Sequence, residues 1–383
     1  MLPVDVRTVP LAIGIGLFAA SGGLAFGQTP VLPAASDPIS VQPAAPAAPP
    51  FKPTLTIGGY LQGELDVGAI GDSRFPASDR FFVRRARLTA SGSAMPALTY
   101  RLQVELAGGL GSASGVTASL TDGYVEWTKL PQAHIRFGQF KAPFGREWLV
   151  SSTQSVTIER SLASDRLTLN RQIGVEAFGN AHDGRVGYFA AIVNGNGRNR
   201  TVNDNHDFMY IVRGTSMVWR TAAAGRLDVG ANAVWSRDTK LSMPEEFRFD
   251  STPDTPAEDH LFTGRHTGAG VDEHFERGVW SVDAEWLRVR FEQDAGAAPV
   301  VTGQGWYVMP SAFVFRRLVQ AAGRYERYRP DVHINGNEAS TWVGGVNYFA
   351  RGDNAKLMVD YLWVNTPDAT DHAKLLARVQ VAF

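Results

Sequence analysis

Arginine is the side chain of this sequence best suited to chemistry, and several arginines recur at alternate positions within apolar segments. Only six of the 37 basic residues are lysine. A guanidinium keeps its charge at any relevant pH and binds phosphate or carboxylate through two parallel hydrogen bonds. Arginines on one face of an extended segment could therefore form a row of anion-binding groups. The candidates are Arg85, Arg87, Arg101, Arg136 and Arg324.

Acidic residues occupy the same alternate positions as these arginines, on the same face of the extended segments. They allow a second interpretation. Each arginine can form an ion pair that stiffens a wall rather than binding a mobile anion. The acids in question are Glu105, Asp122, Glu126, Asp283, Glu326 and Asp360.

Patterns for catalysis and metal binding are missing from the sequence. The eight histidines lack a metal-ligand spacing such as H-E-x-x-H, and neither G-x-S-x-G nor a phosphate-binding loop is present. The chain has no cysteine, which excludes disulfides and thiolate chemistry. A net charge of −1 gives no case for nucleic acid as a partner. The sequence predicts neither an enzyme nor a bound metal or cofactor.

The arginines lie in segments with a period of two residues. Between Leu98 and Leu106 every second residue is apolar, and the alternate positions carry polar side chains such as Arg101 and Glu105. Successive side chains of a strand point to opposite faces. An arginine facing lipid at mid-membrane costs about 2–4 kcal/mol, so we expect Arg101 to face an aqueous interior.

The same alternation predicts sixteen strands, most of them long enough to cross a bilayer in a tilted orientation. They lie near residues 54–66, 80–91, 97–108, 118–129, 133–141, 171–181, 185–194, 206–220, 226–237, 261–274, 279–292, 303–315, 317–328, 340–350, 355–364 and 372–383. Two places are irregular: the apolar phase changes near Leu287, where we expect a bulge, and Pro310 requires an unpaired or bulged position.

Connections between these strands alternate between short and long, as periplasmic turns and outer loops do in outer-membrane barrels. The sequence therefore predicts an all-β fold, a sixteen-stranded antiparallel transmembrane β-barrel with both termini in the periplasm. A soluble all-β protein is the alternative.

The N-terminal region predicts export. Arg7 precedes an apolar stretch from Leu11 to Phe26, and small residues at Ala25 and Gly27 suit a signal peptidase. We expect residues 1–27 to be a cleaved signal peptide, with an uncleaved anchor as the alternative. Residues 28–53 are rich in proline and alanine and predict a flexible periplasmic leader. Residues 54–383 form the predicted barrel, in the bacterial outer membrane.

The last strand ends in an aromatic residue. Apolar residues alternate through it up to Phe383. This ending resembles the terminal signature of outer-membrane barrels, which the barrel-assembly machinery recognises. Phe383 is therefore the predicted assembly signal.

Residues 142–170 form the longest connection and follow the fifth strand. They combine apolar residues such as Trp148 and Ile158 with paired charges, which favours an inward-folded third loop over an ordinary surface loop. The charged residues expected at a constriction are Arg146, Glu147, Glu159, Arg160 and Arg166.

Four stretches resemble the family of phosphate-selective porins O and P. They are FFVRRARL at 81–88, RFGQFKAPFGREWLVSS at 136–152, TIERSLASDRLTLNRQIGVEAFG at 157–179 and GWYVMPSAFV at 305–314. The resemblance covers about residues 55–383. It implies a sixteen-stranded barrel, usually a homotrimer, with an inward-folded third loop and an arginine-lined lumen.

These observations together predict a channel for passive diffusion of small hydrophilic solutes, with anions such as phosphate or polyphosphate favoured. Its expected partners are membrane lipid, the solutes and the assembly machinery. A general or differently selective porin is the first alternative, because the interior charge is mixed. An outer-membrane barrel enzyme is the second.

Overall fold

A computed structural model describes residues 51–72, 74–76, 78–108, 116–243, 247, 261–294, 300–366 and 372–383. The predicted signal peptide and nearly all of the predicted leader lie outside these residues. The described chain is almost entirely β-sheet, with two short helices between the fifth and sixth strands.

Sixteen antiparallel strands form a closed barrel in which each strand pairs with its neighbours in sequence and the last strand pairs with the first. The predicted fold class is confirmed. The strands are β1 Thr56–Val67, β2 Arg80–Met95, β3 Leu98–Ala107, β4 Val116–Leu130, β5 Ala133–Lys141, β6 Arg171–Ala181, β7 Val186–Val193, β8 Met209–Thr221, β9 Gly225–Ser242, β10 Leu261–Arg277, β11 Trp280–Gln293, β12 Val301–Phe315, β13 Val319–Arg329, β14 Ala339–Phe349, β15 Ala355–Asn365 and β16 Ala373–Ala382.

The alternation of side chains separates an apolar outer face from a polar interior. In β3, Leu102 is 48% exposed on the outer face, whereas its neighbour Gln103 is 5% exposed inside the barrel. In β16, Val379 and Val381 point outward, and Arg378 is buried on the inner face. Apolar side chains thus face the lipid, where a charge would be costly.

Short turns lie at one end of the barrel and long connections at the other. Residues 96–97 join β2 to β3 and residues 131–132 join β4 to β5, whereas residues 142–170 join β5 to β6. The long connection contains α1 Arg146–Leu149 and α2 Leu162–Leu167. Among the described residues, no helix is long and apolar enough to cross a membrane.

The bulge expected near Leu287 is wrong. β11 pairs without a register shift to both β10 and β12. The apolar phase changes because Leu287, Val289 and Phe291 face the interior, where they are buried in an apolar cluster with Phe144 from the β5–β6 connection. A strand covered on both faces loses the simple alternation of a wall strand.

The expectation for Pro310 holds on one side of β12. The β12–β13 ladder pairs Val308 with Tyr325 and Ser311 with Ala322 and skips Pro310, whereas the β11–β12 ladder pairs Pro310 with Val282. Proline has no amide hydrogen to donate to a neighbouring strand.

Candidate functional site

Residues 142–170 contact the wall on the opposite side of the barrel from the strands that they join. Gln62 Nε2 of β1 donates a hydrogen bond to the carbonyl oxygen of Ser152 at 3.0 Å, and the amide of Ile158 donates to Asp360 of β15 at 2.6 Å. The amide of Leu162 donates to Glu326 of β13 at 3.3 Å. Because the partners are inward-facing side chains, this segment lies across the barrel interior.

The first helix of the segment is bound at both ends. The amides of Arg146 and Glu147 donate to the carboxylate of Glu285, at 2.5 and 3.3 Å. Helix N-termini present unpaired amides to such an acceptor. Lys141 Nζ lies at the C-terminal end and donates to the carbonyl oxygens of Trp148, Leu149 and Val150 at 2.7 to 3.2 Å. Backbone groups of α1 are thus satisfied by wall residues.

Apolar packing supplies a second anchor. Phe144, Leu162 and Leu167 from the segment are buried together with Leu287 and Phe291 of β11. Fully burying side chains of this size contributes about 1.5–3 kcal/mol each. The helices of the segment are therefore held against the β11–β13 wall by a small core.

Glu159 binds three arginines at the far end of the segment. Arg84 of β2 donates to both carboxylate oxygens, at 2.7 and 3.0 Å, and Arg378 Nη2 of β16 donates at 2.9 Å. Arg85 Nη2 lies 3.9 Å away. Burial alone would raise the pKa of Glu159, but Arg84 and Arg85 hold this pKa well below its usual range. We call Glu159, Arg84, Arg85 and Arg378 the Glu159 cluster.

Sequence reasoning missed Arg84 because it assumed an unbroken alternation in β2. The pairing with β1 shifts by one residue at Gln62, which pairs with Arg85, while the next residue pairs with Val83. Arg84 therefore turns inward beside Arg85. The sequence contains a sign of this shift, because apolar residues change from odd positions, at Phe81 and Val83, to an even position, at Leu88. In the structure all three side chains face outward.

The other charged residues predicted for the segment bind mainly within it. Glu147 Oε2 accepts hydrogen bonds from the amide and hydroxyl of Ser161, at 3.0 and 2.6 Å. Arg160 donates to the carbonyl oxygens of Glu147 and Val150 and lies over the Trp148 ring, 5.0 Å from its centroid. These groups determine the shape of the segment.

Arg146 and Arg166 lie at different places on the same segment. Arg146 Nε donates to Asp283 of β11 at 3.1 Å. Arg166 Nε lies 3.9 Å from the Asp165 carboxylate and lines a separate cavity toward the outer loops.

Each predicted wall arginine faces the interior and has a polar partner. Arg87 donates to Glu105 at 2.6 Å and Arg101 to Asp122 at 3.3 Å. Arg136 lies between Glu126 and Glu176, at 2.8 and 3.0 Å.

The remaining two wall arginines bind close to the long segment. Arg85 Nη1 donates to Gln62 Oε1 at 2.9 Å. Arg324 Nη1 donates to the Thr157 hydroxyl and to the carbonyl oxygen of Glu159, at 2.6 and 2.8 Å.

An interior cavity of about 460 Å³ lies between residues 149–153 and the first strands of the barrel. Its lining contains four cationic side chains and a single carboxylate, that of Asp122, counted over the described residues. Asp122 accepts hydrogen bonds from Arg101 at 3.3 Å and from Arg171 at 2.7 Å. The lining thus has three more positive than negative groups, and the pairing of Arg87 with Glu105, which lies outside the lining, reduces this excess to two. The four cationic residues are Arg87, Arg101, Lys141 and Arg171. We call this space the basic chamber.

The chain matches the family model for phosphate-selective porins O and P over residues 60–383. No curated protein matches it. Within the described part of the chain, no group of three or more histidine or acidic residues is arranged to hold a metal ion.

Solved outer-membrane proteins share the fold at low sequence identity. The trimer form of OmpT from Vibrio cholerae has a TM-score of 0.60 and 14% identity, covering 86% of this chain and 99% of that one. An anion-selective porin from Comamonas acidovorans has a TM-score of 0.59 and 12% identity, over 87% and 100% of the two chains. The channel DcaP of Acinetobacter baumannii has a TM-score of 0.58 and 11% identity, over 87% and 99%.

Proposed function

The chain belongs to the family of phosphate-selective porins O and P and is an outer-membrane channel for small solutes, and we propose that it prefers small anions such as phosphate or polyphosphate. The observation that carries this proposal is the basic chamber, where four cationic groups have two carboxylate partners, Asp122 in the lining and Glu105 beside Arg87. Asp122 is shared between Arg101 and Arg171, so neither arginine is fully neutralised. Clustered arginines in a pore wall favour anions.

The long segment strengthens this field. Charges are screened over about 10 Å at 0.1 M salt, so wall residues alone act weakly at the centre of a wide barrel. Residues 149–153 line the chamber opposite the wall and confine a solute near Arg87 and Arg101. We propose that residues 142–170 form the constriction. Their charged residues, including Arg146, Glu147, Glu159, Arg160 and Arg166, then act mainly by holding the segment in place.

Mixed charge elsewhere in the interior supports the second candidate, a general porin of weak selectivity. Arg136 is bound by two carboxylates, those of Glu126 and Glu176. A solute passing this part of the wall meets no excess of positive charge.

Several further properties belong to the same proposal. The trimeric form of the Vibrio cholerae protein supports a homotrimer, and the porin family supports passive diffusion rather than catalysis, without a cofactor. Export through the signal peptide of residues 1–27, a flexible leader at 28–53 and recognition of Phe383 by the barrel-assembly machinery complete the proposal.

The double variant Arg87→Gln with Arg101→Gln tests the anion preference. Reversal potentials across a salt gradient in planar bilayers should shift toward cations, and block of chloride current by added phosphate should weaken. Arg185→Gln, in the exposed turn before β7, removes the same charge away from the chamber and should leave both values unchanged. Unchanged selectivity in the double variant would favour the general porin.

A further inference from the structure

Three strands carry the same outward-facing pair, an aromatic residue followed two positions later by arginine. Residues two apart in a strand share a face. All three strands begin at short periplasmic turns and run toward the outer loops, so each arginine lies farther out than its aromatic partner. The pairs are Trp235 and Arg237 in β9, Trp286 and Arg288 in β11, and Tyr325 and Arg327 in β13.

The depth of these arginines corresponds to the outer edge of the membrane. Aromatic side chains of transmembrane barrels form girdles at the two interfaces, about 25 Å apart. In β11, Trp280 lies at the periplasmic end and Arg288 eight residues farther along. A tilted strand rises roughly 20 Å over that length. Arg288 therefore lies just inside the outer edge of the apolar band, where its long side chain can reach the lipid head groups, and Arg290 lies two residues farther out.

Three more outward arginines extend the patch over β9 to β13. We call the whole set the basic belt. It consists of Arg237, Arg265, Arg288, Arg290, Arg327 and Arg329.

Acidic residues neutralise the basic belt only in part. Glu292 pairs with Arg265 and, at 2.7 Å, with Arg290. Asp294 pairs with Arg237 at 2.8 Å, and Glu338 lies near the two arginines of β13. Counted over the described residues, six arginines face three carboxylates, and the side chains of Arg237, Arg265 and Arg290 are each about half exposed.

The basic belt is confined to one side of the barrel. On β1 and β16 the outward residues are apolar along the whole strand, with Leu61, Val379 and Val381 among the exposed ones. A general need for solubility at the rim would not distinguish between these two sides.

We propose that the basic belt binds the phosphate groups of a membrane lipid in the outer leaflet. The patch faces lipid rather than the lumen, it lies near head-group depth, and over the described residues it carries excess positive charge. Arginine forms paired hydrogen bonds with phosphate. Since the belt is on the opposite face of the wall from the basic chamber, lipid binding is independent of the solute preference proposed above.

Lipid retention by the purified full-length protein tests this assignment. We would measure native mass spectra after incubation in detergent with lipid A carrying two phosphates and, in parallel, with lipid A from which both phosphates are removed. Wild-type protein should retain the phosphorylated lipid preferentially. Arg288→Gln with Arg290→Gln should weaken retention by about fivefold for each arginine removed.

Matched variants separate lipid phosphate from other causes. Arg277→Gln removes an outward charge at the periplasmic end of β10 and should retain the lipid normally, while Arg288→Lys with Arg290→Lys should retain it in part. Heat-modifiable gel mobility reports that each variant is folded. Equal retention of both lipids, equal retention by the glutamine variant, or displacement of the lipid by millimolar inorganic phosphate would overturn the proposal.

Discussion

Arg84 and Glu159 form a two-pronged ion pair, with Nε to Oε1 at 2.7 Å and Nη2 to Oε2 at 3.0 Å. The two residues are 75 positions apart, one in the wall and one in the segment that crosses the interior. Both side chains are largely shielded from solvent. Breaking such a buried pair by removing one partner costs about 3–5 kcal/mol. The pair therefore holds the far end of the segment against β2.

Glu159→Gln should release this end of the segment. The substitution leaves Arg84, Arg85 and Arg378 close together, with Glu64 of β1 as the neighbouring carboxylate. Repulsion should move residues 155–160 away from the wall, and single-channel conductance should change and become noisier. Asp165→Asn, on the same segment but more exposed, serves as the control. Wild-type conductance in the glutamine variant would show that the apolar anchor alone is sufficient.

The Glu159 cluster should also resist acid. The pKa of Glu159 is held below its usual value of 4.5. A carboxyl group with a lowered pKa in the folded protein stabilises it above the unfolded-state pKa, and this stabilisation is lost as the pH falls through the lower, folded-state pKa. Titration of Glu159 should therefore leave conductance unchanged from about pH 7 to 5 and alter it only under stronger acid. In Glu159→Gln the acid step should be absent, and an acid step that persisted in this variant would assign it to another group.

Arg101 and Leu102 test the assignment of faces, because they are neighbours that point in opposite directions. Arg101→Glu places a charge on the interior face, where the side chain is about one-third exposed and Arg171 still pairs with Asp122, so outer-membrane levels should remain near wild type. Leu102→Glu places a charge on the exposed lipid face and should reduce assembly, at a cost of at most a few kcal/mol. Heat-modifiable mobility and membrane fractionation measure both. Equal assembly of the two variants would contradict the assignment.

The terminal strand provides a test of assembly. Phe383 is 75% exposed, and its backbone pairs with Gly59 of β1 in both directions, at 3.0 and 3.1 Å. Deleting Phe383, or changing Val381→Asp on the lipid face, should leave periplasmic aggregates and little assembled barrel. Gln380→Asn, on the inner face of the same strand, is the control. Wild-type amounts of folded protein in the membrane fraction would refute a role for this ending.

Strand positions could be predicted from the sequence because lipid on one side and water on the other impose a strict period of two. This condition holds for β3 and β16, and the prediction was accurate there. It fails in β11, where Leu287 and Phe291 face an apolar partner inside the barrel. Periodicity alone cannot distinguish lipid from an internal core, so the expected bulge near Leu287 was wrong.

The contacts between residues 142–170 and the barrel wall could not be predicted from the sequence, for a different reason. The long segment was predicted to be special because of its length and its mixed residues. Its actual partners, such as Glu285 for α1 and Arg378 for Glu159, come from strands that are more than a hundred residues away. Alternation determines that a side chain points inward, but barrel closure and register determine which residue lies opposite.

Arg378 joins three distant parts of the chain at the seam between the first and last strands. Its Nε donates to Glu64 of β1 at 2.6 Å, and its Nη2 donates to Glu159 at 2.9 Å. Because Glu64 lies on β1 and Arg378 on β16, this three-way contact is complete only when the two strands pair and the cylinder is sealed. An intermediate in which β1 and β16 are still unpaired therefore also lacks a contact that holds residues 142–170 across the interior. A solute pathway of native shape arises only when the barrel closes.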